Sequence, residues 1–240
     1  MTQIKICGIT REEEAIWLNQ AGVDYAGFVF YEKSRRNVTI NHAEQIIKKL
    51  NANIKKVAVV VSPDARQIDR LGNVGFDILQ VHGSLSEEAS RHIRLPVWRA
   101  LNLTNAADMA KLAEDAAVRQ GASGDMEPVQ AVLVDAGEYG GGRTFGWEMV
   151  DAECAEWRET IKKLKDDLKE RNVLFVLAGG LNAGNVAEGI HKFSPDVVDV
   201  SSGVEADAAV FAGKSRRKLE EFVRAVRSKE QTRTPFAVQK

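Results

Sequence analysis

The chain alternates short apolar runs with longer stretches in which polar and apolar positions mix. The runs at residues 4–7, 25–30, 56–61, 78–82, 97–101, 131–135, 174–178 and 197–201 are rich in β-branched and apolar side chains and read as strands. Between them lie segments with helix-start signals: Thr10 with Glu13, Asn41 with Glu44, Ser62 before Pro63, Ser86 before Glu87 and Glu88, Thr104, Asn182 and Ser215. Strand–helix alternation predicts a parallel sheet, because parallel neighbours need a crossover, and eight strands is the number at which such a sheet closes. An open doubly wound sheet fits the alternation equally well. The count of eight, with no Gly-x-Gly-x-x-Gly turn after the first strand, favours an α/β fold of the single-domain (β/α)8 TIM barrel type.

Three stretches fall outside that minimal plan. Residues 119–130, with Gly121, Gly124 and Pro128, read as a surface loop. In residues 148–172, Ile161, Leu164 and Leu168 recur at helical spacing among Lys162, Lys163, Asp166 and Asp167, the pattern of a helix with one solvated face. The barrel is expected over 1–228, with the aperiodic residues 229–240 as a poorly ordered tail.

Composition narrows the function classes. The formal net charge is -1, from 33 basic and 34 acidic side chains, so no bulk field attracts nucleic acid or an acidic membrane surface. An anionic substrate must then be caught locally. Cys7 and Cys154 stand in unrelated contexts, which argues against a disulfide framework and for a reducing compartment. His42, His82, His92 and His191 show no ligand-like spacing with each other or with cysteine, so no metal cluster is expected. The start of the chain is polar and no apolar run is long enough to span a bilayer, which predicts a cytoplasmic protein.

The candidate chemistry follows from strand ends, because in parallel α/β proteins the loops there face one shared crevice. Cys7 ends the first strand, and Lys5 shares its face by two-residue alternation. Gln80 and His82 share a face of the fourth strand, and Asp135 closes the sixth, a costly place for a carboxylate unless it is used or paired. Gly179 and Gly180 follow the seventh strand, and Ser201, Ser202 and Gly203 follow the eighth. Paired glycine turns in these places read as a phosphate cradle. Arg35 and Arg36, after the second strand, are the local cations for a substrate carboxylate, and the run Gly140-Gly141-Gly142-Arg143 reads as a lid.

Taken together, Lys5-Ile6-Cys7-Gly8-Ile9-Thr10, Gln80-Val81-His82-Gly83, Ala178-Gly179-Gly180-Leu181 and Asp199-Val200-Ser201-Ser202-Gly203-Val204-Glu205 resemble, in order, the signatures of the phosphoribosylanthranilate isomerase family of tryptophan biosynthesis. The resemblance implies an Amadori rearrangement of N-(5-phosphoribosyl)anthranilate to 1-(2-carboxyphenylamino)-1-deoxyribulose 5-phosphate. It implies Cys7 as general base, Asp135 as general acid, Arg36 facing the anthranilate carboxylate, and a phosphate site at Gly179, Gly180, Ser201, Ser202 and Gly203, a chemistry that calls for no metal and no organic cofactor. A base here calls for a thiol pKa lowered from about 8.5, and an acid for a carboxyl pKa raised from about 4. The expected partner is the small phosphoribosyl substrate, for a monomer or homodimer that touches neither nucleic acid nor membrane. The chain departs from the family pattern at Ser34-Arg35-Arg36, where Ser-Pro-Arg is usual, in a shorter glycine run after Asp135, at Gly146, and in the longer 148–172 segment. Two other readings stand beside it. A histidine-pathway isomerase performs the same rearrangement, but resembles two similar halves with an aspartate pair. A non-catalytic phosphate-binding barrel would have no need of Cys7 and Asp135.

Overall fold

The computed structural model describes residues 1–102, 129–135, 155–207 and 211–231. Strands β1 (Gln3–Cys7), β2 (Tyr25–Phe30), β3 (Lys55–Val61), β4 (Ile78–His82), β5 (Val97–Asn102), β6 (Val129–Asp135), β7 (Leu174–Leu177) and β8 (Val197–Val200) run parallel in chain order around a closed barrel, β8 pairing with β1. The described helices are α1 (Glu12–Ala21), α2 (Ile40–Ile47), α3 (Ala65–Gly72), α4 (Glu87–Arg91), α5 (Ala155–Glu170), α6 (Val186–Phe193) and α7 (Arg216–Gln231), with a 3-10 turn at Ser202–Val204. The TIM barrel expected from the strand count is the fold that forms.

Two-residue alternation divides every strand between two cores. Ile4, Ile6, Phe28, Val60, Leu79, Val81, Val132, Val134, Val198 and Val200 point outward into the layer beneath the helices. Tyr25, Val57, Val59, Ile78, Trp98, Ala131, Leu133, Val176 and Val197 fill the interior. Tyr25 and Trp98, early in β2 and β5, meet edge to face at 4.8 Å. The N-terminal end is thus closed by packed side chains, which leaves the C-terminal mouth for chemistry.

Local rules explain where the elements differ from expectation. β6 begins at Val129, so Val129 and Gln130 belong to the strand and not to the preceding loop; Trp98 Nε1 donates to Gln130 Oε1 at 3.3 Å. α1 starts one residue later than Thr10 suggests, so the reciprocal partner is Glu14, not Glu13: Glu14 Oε2 accepts from the backbone N–H groups of Thr10 and Arg11 at 2.7 and 3.2 Å. Thr39, not Asn41, caps α2, and Asp64, not Ser62, caps α3, each side chain accepting from the N–H three residues on. Asn182 turns the chain before α6, its Oδ1 accepting from Gly184 N at 2.8 Å. Ser86 caps α4 as expected. In α5, Leu164 and Leu168 are buried while Lys162, Lys163 and Asp166 face solvent, the amphipathic helix foreseen, and each leucine contributes roughly 2–3 kcal/mol. Thr104, residues 119–128, the 140–143 glycine run, Gly146 and residues 232–240 lie outside the described residues.

Candidate active site

Register places the interior charges. Lys5 on β1 lies opposite Tyr25 on β2 and Asp199 on β8, and all three point inward. The Lys5 ammonium, fully buried, donates to Asp199 Oδ2 at 2.8 Å. Asp199 Oδ1 is buried with no hydrogen-bond partner among the described residues. Two residues further along β1, Cys7 lies opposite Gly27, and a Cβ on Gly27 would stand 3.0 Å from Cys7 Sγ and 3.1 Å from Lys5 Nζ. Burial pushes the Cys7 thiol up, while Lys5 and Lys214 pull it down against Asp199. The net shift is upward, contrary to the lowered value expected for a base, because the sulfur is desolvated before any ligand arrives.

Around Cys7 the loops after β2 and β8 are tied by one carboxylate. Glu205 Oε1 accepts from Arg36 Nε at 2.5 Å and from Lys214 Nζ at 3.2 Å, and Oε2 accepts from Arg35 Nη2 at 2.5 Å. Arg36 is buried and its stem lies on Gly8: a Cβ there would stand 2.6 Å from Arg36 Cδ. Arg35 is exposed and stacks over the Phe211 ring at 5.4 Å. Arg36 is therefore the arginine beside Cys7, held through Nε. Burial raises Glu205, but the Arg36 hydrogen bond, then Lys214, Arg36 and Arg35, outweigh it and hold the carboxyl below its ordinary range. Lys214 Nζ also donates to Ser201 O at 3.1 Å, and Ser201 Oγ donates to the Cys7 carbonyl at 3.0 Å.

The turns after β7 and β8 interlock. Gly179 and Gly180 sit at φ +89° and +61°, in the left-handed region that glycine enters freely. A Cβ on Gly203 would fall 1.9 Å from the Leu181 carbonyl oxygen, so the backbones touch where only glycine fits. Across the barrel, Gln80 Nε2 and His82 Nε2 are 2.8 Å apart. Burial first, then Lys5 and Arg99, push His82 down to about 3, which leaves the ring neutral. Asp135 ends β6 at the same mouth, on the inward face it shares with Ala131 and Leu133.

Cys7, Arg36, Ser201, Ser202 and Gly203 are thus brought into one neighbourhood, with Gly179 and Gly180 on the adjoining turn. Gln80 and His82 engage each other on β4. Sequence reasoning had given no role to Lys5, Asp199, Glu205 or Lys214. Asp199 was signalled by its charge within an apolar run and by its even spacing from Ser201. For Lys214, far along the chain in an unremarkable segment, no local signal existed.

A closed parallel barrel with a thiol and a carboxylate ending strands at its mouth, beside interlocked glycine turns, defines an enzyme of the (β/α)8-barrel class. A family model described as N-(5'phosphoribosyl)anthranilate (PRA) isomerase matches residues 4–225. N-(5'-phosphoribosyl)anthranilate isomerase of Streptococcus gordonii is 35% identical over 229 residues, 95% of this chain and 98% of the relative. The crystal structure of phosphoribosyl anthranilate isomerase from Thermotoga maritima has TM-score 0.75 at 29% identity, covering 95% of this chain and 100% of its own. A crystal structure of phosphoribosyl anthranilate isomerase in complex with reduced 1-(o-carboxyphenylamino)-1-deoxyribulose 5-phosphate has TM-score 0.72 at 28% identity, with the same coverage. The chain belongs to the N-(5'-phosphoribosyl)anthranilate isomerase family.

Proposed function

We propose that Cys7 and Asp135 are the base and acid with which this chain, an isomerase of phosphoribosylanthranilate by family, carries out its Amadori rearrangement. Asp135 gives its proton to the ribose ring oxygen; the C1–O bond breaks, and the amine nitrogen supplies the electron pair that makes the iminium. The Cys7 thiolate then takes the proton from C2, the C–H electrons form a C1–C2 double bond, and the nitrogen recovers its pair. The resulting enol amine passes to the aminoketose as C1 takes up a proton and the C2 hydroxyl gives up its own, the O–H electrons forming the C2 carbonyl. Arg36 faces the anthranilate carboxylate with the terminal nitrogens that Glu205 does not use, in the fork geometry that suits a carboxylate. Gly179, Gly180 and the Ser201–Gly203 turn receive the phosphate, with Gln80 and His82 lining the β4 side. The Ser201 hydroxyl is engaged by Cys7 O, so its contribution is through the turn's backbone. The substrate is small and the chain acts alone or as a homodimer.

The observation that carries this reading is the convergence of Cys7, Arg36 and the Ser201–Gly203 turn through direct contacts to Gly8, Glu205 and the Cys7 carbonyl. Its test is turnover of freshly generated phosphoribosylanthranilate by purified protein in chelator, followed by loss of anthranilate-type fluorescence. Cys7→Ser and Asp135→Asn are expected to lose about 10²–10⁴-fold in kcat, the range for a general acid or base. Near wild-type turnover in Cys7→Ser removes the thiol from the mechanism.

A further inference from the structure

The steps above give the buried Lys5 ammonium no task. Lys5 is fully buried, and removing an ammonium from water costs several kcal/mol even in real proteins, a cost that an apolar residue at this inward position would avoid. Asp199 accounts for one of its contacts. Cys7 stands two residues along the same strand and on the same face, and its sulfur and the Lys5 ammonium flank the same point on Gly27, 3.0 and 3.1 Å from where a Cβ would stand. Opposite, β2 presents Gly27, where any side chain would press on both Sγ and Nζ. β8, β1 and β2 thus bring Asp199, Lys5 and Cys7 together, with Gly27 leaving the sulfur and the ammonium side by side.

We propose that Lys5 is a positioning residue for the Cys7 base, its ammonium shared between Asp199 and Sγ so that it serves as counter-ion to the thiolate and fixes the sulfur at the mouth. The inference rests on the reading of Cys7 as base. In the cycle Lys5 keeps its proton. The Cys7 S–H proton leaves to solvent as the substrate seats; the thiolate then forms a new S–H bond with the C2 proton as the C2–H bond breaks. Around the sulfur, Lys5 and Lys214 favour the thiolate; burial and Asp199 oppose it, and the neutral His82 on β4 adds no charge.

The test uses the full chain with Cys154→Ser, which leaves Cys7 as the single thiol of the two cysteines. Iodoacetamide alkylation and ultraviolet thiolate absorbance are followed against pH, with kcat and KM measured alongside. Lys5→Met is expected to move the Cys7 titration midpoint up by about one to three pH units. Its kcat at neutral pH falls by about 10²-fold. KM is expected to change little, and part of the lost kcat returns at higher pH. Asp199→Asn, which frees the ammonium for the sulfur, is expected to move the midpoint down and to speed alkylation at neutral pH. This second variant decides the matter where Lys5→Met fails to fold. A midpoint unmoved in Lys5→Met, or unmoved in Asp199→Asn, overturns the role of Lys5 while leaving an inactive Cys7→Ser to support the base. An active Cys7→Ser overturns the base reading and the Lys5 proposal with it.

Discussion

Glu205 is the carboxylate that forms salt bridges with both Arg36 and Lys214, and its neutralisation gives a measurable test of how the site is assembled. In Glu205→Gln the side chain keeps its size and one acceptor oxygen but loses its charge. Arg35, more than half exposed, is worth at most about 1 kcal/mol to the network. The cost falls on the two buried cations, whose side chains are 8% and 0% exposed and which would lose the carboxylate that pairs with both. Breaking a buried pair by removing one partner costs about 3–5 kcal/mol. For a chain of this size each 1 kcal/mol moves Tm by about 2–4 °C, so the expected loss is about 6–20 °C. Thermal unfolding followed by circular dichroism reads this directly. The origin of the loss is tested by Glu205→Gln/Lys214→Met, which deletes one stranded cation and is expected to unfold at a higher temperature than Glu205→Gln alone. A drop of under about 2 °C in the single variant, or a double variant less stable than the single, refutes charge compensation as what holds these loops. In kinetics, the freed Arg36 is expected to raise KM more than it lowers kcat.

Two further outcomes follow from the same geometry. Gly203→Ala puts a methyl 1.9 Å from Leu181 O and must part the turns after β7 and β8. A displacement of about 1 Å can cost 10²-fold, so KM for the phosphorylated substrate is expected to rise by about one to two orders of magnitude, and an unchanged KM counts against a phosphate site there. Glu205 also sets a pH dependence. Its folded pKa is depressed, so its stabilisation is complete above its ordinary value near 4.3 and fades as pH falls through the lower folded value. The Tm difference between wild type and Glu205→Gln is therefore expected to be constant from pH 7 to about 5 and to shrink under stronger acid; a difference that grows on acidification refutes that assignment.

The strands were legible because they are buried on both faces and so form unbroken β-branched runs such as Val57 to Val61, bounded by turn residues. Helix starts were legible in kind but not in position. Capping is decided by which side chain reaches the third N–H, and at α2 and α3 neighbouring Thr39 and Asp64 win over Asn41 and Ser62. Site residues at strand ends could be found from alternation alone, which puts Cys7, His82 and Asp135 on inward faces. What alternation cannot supply is register between distant strands. That Lys5 meets Asp199, or that Cys7 meets a glycine, depends on how β1 slides against β8 and β2 when the barrel closes.

The same limit explains why the thiol pKa ran opposite to expectation. A sequence shows a cysteine ending a strand, where a neighbouring lysine and the loops above could acidify it. Closure also desolvates that sulfur and brings up Asp199, whose charge works against the thiolate. Three residues on two strands thus set a balance that none of them sets alone: Lys5 lowers, Asp199 raises, and burial decides the resting state. A base that rests as a thiol beside a fixed ammonium needs only a change in desolvation or in the partner of Lys5 to become a thiolate. Asp199, with one oxygen on Lys5 and the other unpartnered among the described residues, is the group whose hydrogen bonding a seated substrate can alter. Any donor offered to Asp199 Oδ1 draws negative charge away from Lys5 and leaves more of the ammonium's field to Cys7.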